Sequence, residues 1–209
     1  MSPDAITAER VYSNLKRELL SGRFAPAQQL NVHSLADEVG TSITPVRDAL
    51  QRLVGERLVD VQHGGGFILR PLTEEGLRDL YLWHALIVRT AVRASSPGNG
   101  WRDLLPVIDA LGPDDSAGIA SVTAELFYRI GERTDNFEHR SAIRSAGERL
   151  NAVRVHEVGI RERRSELRAL WLVVGSGRET ALRDAISSYH QRRIRRLART
   201  IGDYLASSR

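Results

Sequence analysis

The chain has 209 residues, 42% of them hydrophobic, and a net charge of +4 at pH 7; this length allows two small domains with cores of their own. It contains no cysteine, which excludes disulfides, thiolate metal sites and cysteine nucleophiles. The sequence has no run of about 18 apolar residues and no signal peptide, so we expect a cytoplasmic protein without a membrane span.

The first predicted element is a helix from about Thr7 to Ser21. Val11, Leu15 and Leu19 recur at a spacing of four residues and form one apolar face. Gly22 ends the helix, and a turn follows at Arg23-Phe24-Ala25-Pro26. We expect this helix to pack beneath the elements that follow it.

Two short helices joined by a tight turn are predicted next, over LNVHSLADEVGTSITPVRDALQRL. The first ends at Gly40, because a residue without Cβ readily adopts the left-handed conformation that stops a helix. The second opens at Thr44-Pro45, where Thr44 or Ser42 can cap free amides. Its inward residues are Val46, Ala49, Leu50 and Leu53, and its outward residues are Arg47, Asp48, Gln51 and Arg52.

A β-hairpin is predicted directly after these helices. Leu58, Val59 and Val61 indicate one strand, Gly64-Gly65-Gly66 a turn, and Phe67-Ile68-Leu69 the returning strand. A helix-turn-helix followed by a hairpin is a winged helix-turn-helix, whose second helix enters a DNA major groove. Bulk charge adds nothing to this prediction, because residues 1–72 contain eight basic and eight acidic side chains.

The rest of the chain, 73–209, is predicted to be an all-α bundle of about six helices. A stripe of apolar residues and His84 marks the first of them, and no strand pattern appears. The predicted helices run from Thr73 to the SSPGNG segment at 95–100, Trp101 to Leu111, Ser116 to Gly131, Asn136 to Glu157, Arg163 to Val174, and Arg178 to Ala206. The fold class is therefore mainly α, with a boundary between residues 72 and 73.

The N-terminal segment resembles the DNA-binding domain of the GntR family of bacterial transcription regulators. The similarity covers residues 7–71 and is carried by LADEVGTSITPVRDALQRLVGERLV and by the wing HGGGFI. The family's G-x-x-x-P-G turn is present except that Ala27 replaces its second glycine.

The resemblance implies DNA contacts at particular positions. Ile43 stands where the family usually has a base-reading arginine, and isoleucine can instead contact a thymine methyl. We therefore expect either an operator that differs from the common one or weaker binding. The expected DNA-binding residues are His33, Thr44, Arg47, Gln51, His63 and Gly64.

The second domain resembles the helical effector-binding (FCD-type) domain of the FadR-like subgroup, through TEEGLRDLY, LFYRIGERTDN and SSYHQRRI. Many members hold a divalent metal there through one aspartate and three histidines. The matching positions are Ala124, Tyr128, Glu166 and either Tyr189 or His190, so we expect no bound metal and no other cofactor.

The subgroup's effectors are small metabolites, often carboxylic acids, and an arginine can replace a metal in holding the acid group. The candidate pocket residues are Arg89, Tyr128, Glu166, Tyr189 and His190. A core histidine that hydrogen-bonds to a neighbour is the competing explanation for His190. Loss of the metal ligands also allows a domain that senses nothing and only dimerises.

The final predicted helix carries five arginines around an apolar stripe, which is typical of a solvated face but also allows contact with DNA or an acidic partner. These are Arg192, Arg193, Arg195, Arg196 and Arg199.

Three functions remain open at this point. The first is a dimeric transcription regulator, expected to be a repressor, that binds a palindromic double-stranded operator and a small effector. The second is a ligand-independent, architectural DNA-binding dimer. The third is an enzyme, for which the sequence offers no phosphate loop, GxSxG, HExxH or dinucleotide motif; we therefore expect no enzyme.

Overall fold

The computed structural model describes residues 3–25, 27–93, 103–157 and 159–207. The chain divides into two compact units, with the division between Leu72 and Thr73. The predicted SSPGNG terminator at 95–100 and the predicted helix start at Trp101 lie outside the described residues.

The first unit is the predicted winged helix-turn-helix. Its β-strands form one antiparallel sheet in the order β1-β3-β2, in which Leu30 and Val61 both pair with Phe67. Strand β1 has only two residues, too few for an alternating pattern to be recognised in the sequence. The elements are α1 (Pro3–Leu20), β1 (Gln29–Leu30), α2 (Val32–Val39), α3 (Ile43–Gly55), β2 (Val59–Val61) and β3 (Phe67–Leu69).

A single apolar core joins the three helices of this unit to its sheet. The inward face of α1 and the inward face of α3 meet there, as their spacing predicted, and Phe67 closes the core from the sheet. Because these faces are fully buried, the opposite face of α3 is held rigidly at the surface. The buried residues of α1 and α3 are Val11, Leu15, Leu19, Val46, Ala49, Leu50 and Leu53.

The turn between α2 and α3 is built as predicted at one end and differently at the other. Gly40 ends α2 in the left-handed conformation, with φ 67°. Ser42 is the N-cap residue of α3, but its side chain makes no capping hydrogen bond. At the start of α2, Asn31 accepts hydrogen bonds from the backbone N–H groups of His33 and Ser34, at 3.0 and 3.1 Å.

The second unit is helical throughout its described residues. Helices α4, α6, α7 and α9 contribute most of the core, and α4 buries the whole predicted stripe from Leu77 to Ala91. The helices are α4 (Glu74–Arg93), α5 (Leu105–Ala110), α6 (Ser116–Glu132), α7 (Phe137–Val155), α8 (Arg163–Gly175), α9 (Glu179–Ile194) and α10 (Leu197–Ser207). None of the described helices is long and apolar enough to cross a membrane.

The prediction of one continuous helix from Arg178 to Ala206 is wrong. The backbone N–H of Arg196 bonds the carbonyl of Arg193, three residues back, and this tighter turn ends α9. Leu205, which belongs to the apolar stripe of the predicted helix, is exposed in α10, and Tyr204 is buried instead. No glycine or proline marks the break, so nothing in the local sequence predicts it.

Candidate nucleic-acid interface

The outward face of α3 forms a compact polar surface, which we call the recognition surface. Its residues are exposed side chains that project from one side of a helix whose other side is fully buried. It consists of Ile43, Thr44, Arg47, Asp48 and Gln51. A rigid, narrow helical face of this kind has the size and shape that a DNA major groove admits.

Two arginines on α3 have different surroundings. Arg47 is exposed and makes no hydrogen bond or ion pair with the described residues. Arg52 forms an ion pair with Glu9 at 2.8 Å, and its guanidinium stacks 3.6 Å above the ring of Tyr12. Arg47 is therefore unpaired as far as the described residues show, whereas Arg52 fastens α3 to α1.

The end of α3 is anchored by a further polar network. The Tyr12 hydroxyl donates to Glu56, and Lys16 reaches both groups, at 3.1 Å from the Tyr12 oxygen and 2.8 Å from the Glu56 carboxylate. Burial, with the hydrogen bond to Glu56 as the next cause, raises the pKa of Tyr12 above its usual value. The network fixes the orientation of α3 on the domain. No motif in the sequence predicted this network.

Two further candidate positions flank α3. His33 is exposed in the first turn of α2, the helix that Asn31 caps. His63 and Gly64 lie at the exposed tip of the wing, where Gly64 and Gly65 adopt φ values of 97° and 89°. The tip is closed by a hydrogen bond of 2.8 Å from the backbone N–H of Gln62 to the carbonyl of Gly66. A narrow, glycine-rich tip can approach a phosphate backbone or a minor groove.

The interior of the second unit contains charged and polar side chains, which we call the buried polar cluster. Its carboxylate, Glu157, is 1% exposed and accepts a hydrogen bond of 2.6 Å from the Tyr81 hydroxyl. Arg193 and Arg163 lie 3.3 and 3.6 Å from the other carboxylate oxygen. The cluster comprises Tyr81, His84, Arg154, Glu157, Arg163, Tyr189, His190 and Arg193.

Two of its members are directly bonded histidines. His190 Nδ1 lies 2.6 Å from the Ile186 carbonyl, which only accepts, so His190 carries its proton on Nδ1. His190 Nε2 must then accept from His84 Nδ1, 2.8 Å away. Burial lowers the pKa of His190 to about 3, and burial followed by the neighbouring His190 lowers the pKa of His84 well below its usual value. Both rings are therefore neutral.

Several polar atoms of the cluster have no hydrogen-bond partner among the described residues. They are Nε and Nη2 of Arg154, Nε2 of His84 and the hydroxyl of Tyr189. All three side chains surround the ring of Phe127, which lies 4.9 Å from the His84 ring, 5.0 Å from the Tyr189 ring and 5.5 Å from the Arg154 guanidinium. Unpaired donors next to an unpaired acceptor are the features of a site that can hold a small polar molecule.

The predicted effector residues are only partly brought together. Tyr189 and His190 are buried in contact with each other, and Glu166 joins them through Arg193, whose Nη1 lies 2.6 Å from its carboxylate. Tyr128 instead lines an open surface pocket of about 390 Å³ between α6 and α7, with the Arg144 guanidinium 4.2 Å above its ring. Arg89 is half-buried on α4, with its Nε unpaired.

The positions that match the subgroup's metal ligands do not fit a divalent metal. Glu166 forms an ion pair with the Arg193 guanidinium, which also lies 3.5 Å from the Tyr189 ring. The positive charge beside Glu166 and Tyr189 is therefore that of an arginine, which leaves no room for a metal cation between them. Ala124 offers no ligand atom. The described residues contain no group of three or more His, Cys, Asp or Glu side chains positioned to hold a metal ion.

The expectation that the arginines of the last predicted helix form a solvated face is wrong for one of them. Arg193 is 3% exposed, because it faces Glu157 and Glu166 inside the bundle. The sequence analysis also missed Arg154 and Glu157. Arg154 follows Leu150 by four residues and so continues the spacing of the buried residues of α7, a pattern from which its burial could have been predicted. Glu157 lies after the end of α7, where helical periodicity no longer indicates which residues are buried.

Known proteins resemble this chain over different parts of its length. Residues 7–69 match the family model of bacterial regulatory proteins of the gntR family. The Nta operon transcriptional regulator of Aminobacter aminovorans is 29% identical over 141 residues, which cover 65% of this chain and 67% of that protein. The HTH-type transcriptional repressor GlaR of Escherichia coli is 33% identical over 76 residues, 36% of this chain and 34% of the repressor. The chain thus spans about a third of the second relative.

Solved structures resemble a larger part of the chain. Escherichia coli McbR/YncC has a TM-score of 0.74 at 20% identity, covering 96% of this chain and 100% of that one. A putative GntR transcriptional regulator from Rhodococcus sp. RHA1 has a TM-score of 0.75 at 20% identity, covering 91% and 97%. At this identity the likeness establishes a shared fold.

Proposed function

We propose that the protein is a dimeric regulator that represses transcription by binding a palindromic operator, because its residues 7–69 match the model of the gntR family of bacterial regulatory proteins. It acts in the cytoplasm, where the bacterial chromosome lies. Its second unit is an effector-binding and dimerisation domain of the FadR-like, FCD-type subgroup. The relatives named as transcriptional regulators support this function over an enzymatic one.

The recognition surface carries this proposal. Arg47 projects from the rigid α3 without a partner in the described part of the chain, next to a wing with an exposed glycine tip. In DNA recognition an arginine of this kind contacts phosphates or guanine edges, whereas side chains such as Gln51 and Ile43 distinguish adenine or the thymine methyl. The proposed DNA-binding set is His33, Thr44, Arg47, Gln51, His63 and Gly64.

Selection of bound DNA from a random pool by the full-length protein tests the DNA-binding function. We expect a symmetric consensus whose half-site centres are about one DNA turn, or about 10 base pairs, apart. Affinity for the selected operator should fall steeply with salt, because phosphate contacts release counterions. If no sequence is enriched at moderate salt, the proposed function is wrong.

For the effector, we propose a small organic acid bound in the interior of the second unit without a metal. Arg154 supports this proposal, because Nε and Nη2 of its buried guanidinium have no hydrogen-bond partner among the described residues and the guanidinium lies 5.5 Å from the Phe127 ring. A guanidinium can bind a carboxylate through two parallel hydrogen bonds. Thermal-shift screening against small carboxylic acids should find a ligand that raises the melting temperature and changes operator affinity.

A ligand-independent DNA-binding dimer is the second candidate, and Glu157 favours it. This carboxylate belongs to the protein itself, and it already accepts a hydrogen bond from Tyr81 and forms ion pairs with two arginines, as a bound acid would. In this case no acid in the screen stabilises the protein, and operator affinity does not respond to metabolites. The two candidates share the DNA-binding unit and differ only in what the helical unit does.

A further inference from the structure

Helix α4 has an exposed apolar patch on the side that faces away from the bundle core. Leu82, Trp83 and Leu86 are 52%, 49% and 58% exposed, although they are adjacent on a helix whose opposite face is fully buried. Single exposed apolar residues are ordinary, but three large ones side by side in the middle of a helix indicate a surface that another molecule covers.

Charged side chains extend this patch in both directions along the same helical face. Asp79 and Glu75 continue the line of Leu82 and Leu86 towards the start of α4, at spacings of three and four residues, and Arg93 continues it towards the end. Glu75, Asp79 and Arg93 are exposed, and in the described part of the chain none of them forms an ion pair. The face is acidic at one end, apolar in the middle and basic at the other end.

This distribution of charge is self-complementary for two antiparallel copies. Glu75 and Arg93 lie nine residues on either side of position 84, and Asp79 and Arg89 lie five residues on either side. When two such helices pack antiparallel with their centres together, each acidic end meets the basic end of the other copy. At about 1.5 Å per residue the pattern is about 27 Å long, so only a shallow crossing of about 20° engages both ends.

We propose that the α4 face formed by Glu75, Asp79, Leu82, Trp83, Leu86, Arg89 and Arg93 is the site at which a second copy of this chain docks. The apolar centre is buried in the contact, and two pairs of Glu75 and Arg93 form across it, one at each end. A two-fold axis passes through the patch near position 84, as an isologous interface requires. The inference rests on the dimer of the proposed function and assigns it a surface.

Charge reversal at the two ends gives a test that an accidental apolar patch would fail. In Glu75→Arg, both ends of a homodimer bring two arginines together; in Arg93→Glu, both ends bring two carboxylates together. Each variant alone should raise the dimer dissociation constant at least about tenfold in low salt. An equimolar mixture pairs every arginine with a carboxylate and should restore wild-type affinity as a heterodimer. Sedimentation velocity of full-length proteins measures all four samples.

Two further variants provide controls. Glu138→Arg makes the same change at the second residue of α7, an exposed position that matches Glu75 in α4, and it should leave dimerisation unchanged. Leu86→Glu should give a monomer with an unchanged far-UV circular dichroism spectrum, because its side chain is largely exposed in the single chain.

The outcomes separate this surface from the proposed function. A monomeric wild type, single variants that dimerise normally, or a mixture no tighter than its components overturns the assignment of the face. If the mixture is restored but no DNA is selected, the face stands and the regulator function fails. If a symmetric operator is selected while the charge variants have no effect, the function stands and the dimer uses another surface.

Discussion

At the scale of single residues, the intramolecular partners of the arginines indicate what each of them does. Arg52 is bound to Glu9 and stacked on Tyr12, so removing it affects the packing of α1 against α3. Arg47 has no such partner among the residues that the structure describes, which leaves its side chain exposed for the proposed contact with DNA. The sequence predicted both arginines on the same outward face of α3. Helical periodicity indicates the direction in which a side chain points, but it does not indicate which neighbouring element supplies a partner.

The first prediction concerns Arg47. Arg47→Ala should weaken operator binding by about 1–3 kcal/mol and reduce its dependence on salt, because a contact to phosphate or a base edge is lost. Arg17→Ala removes the same charge from an exposed position on α1, outside the recognition surface, and should have a much smaller effect. Fluorescence anisotropy with a labelled operator measures both. Equal affinity losses in the two variants would mean that Arg47 acts only through net charge.

The second prediction concerns the internal carboxylate. Glu157→Ala leaves Arg163 and Arg193 buried without this counter-ion, and it should lower the free energy of unfolding of the helical unit by about 3 kcal/mol or more. Acetate should restore part of this stability in a saturable way, since it can enter the space left by the side chain, whereas chloride at equal ionic strength should not. Urea denaturation measures the effect, and Glu166→Ala, a more exposed carboxylate, is the control. A loss no larger than that of Glu166→Ala contradicts the prediction.

At the scale of elements, two positions of the first unit share an unusual backbone conformation but carry different residues. Gly40 ends α2 at φ 67°, and Ala27, where the family's turn has glycine, lies at φ 61°. A Cβ atom is strained in this left-handed region even when space is available, and no atom lies within 4 Å of a Cβ built on Gly40.

The third prediction is therefore a pair of opposite effects. Ala27→Gly should stabilise the first unit, and Gly40→Ala should destabilise it, each by about 1 kcal/mol. Chemical denaturation followed by far-UV circular dichroism measures both changes, and each variant serves as the control for the other. Two changes of the same sign would show that packing, not backbone conformation, determines stability at these positions.

The fourth prediction concerns the bond between α4 and α9 made by His84 and His190. Both histidines have lowered pKa values in the folded chain, so below about pH 6.5 the unfolded chain binds protons that the folded chain does not. The stability of the helical unit should therefore fall as the pH decreases below 6.5, by about 1.4 kcal/mol per pH unit for each histidine that stays neutral in the folded chain.

Tryptophan fluorescence during urea denaturation measures this dependence selectively, because all three tryptophans lie beyond residue 72. His84→Asn keeps a donor near the position of Nδ1 and removes one titrating group, so its stability should change less between pH 7 and pH 5. Equal pH dependence in the variant and the wild type would contradict a role for His84.

The helices and strands differ in how well the sequence predicted them. Long amphipathic segments such as α3 and α4 were predicted well, because their periodicity records which face is buried. The end of α9 and the two-residue β1 were missed, because a tight turn without glycine or proline and a very short strand depend on tertiary contacts. Here one of those contacts is the 2.8 Å hydrogen bond from Arg196 to the carbonyl of Gly159.

At the scale of the whole molecule, the two units differ in how far sequence patterns predicted their sites. The exposed direction of the α3 side chains Arg47, Asp48 and Gln51 was predicted from helical periodicity, since these residues lie in one continuous segment. The buried polar cluster was predicted only in part, since its members come from α4, α7, α8, α9 and the segment between α7 and α8. Arginines buried with a carboxylate look in the sequence like surface charges, and only the three-dimensional arrangement reveals their pairing.

The central claim is that the exposed face of α3 reads bases in a major groove, and Ile43 offers the most direct measurement of it. Ile43→Arg introduces a side chain able to make two hydrogen bonds with guanine at an exposed position where isoleucine can contact only a thymine methyl. Selection of DNA from a random pool by the wild type and by this variant should give two consensus sequences that differ at one symmetric pair of positions, with guanine favoured in the variant. Identical consensus sequences from the two proteins would contradict the claim.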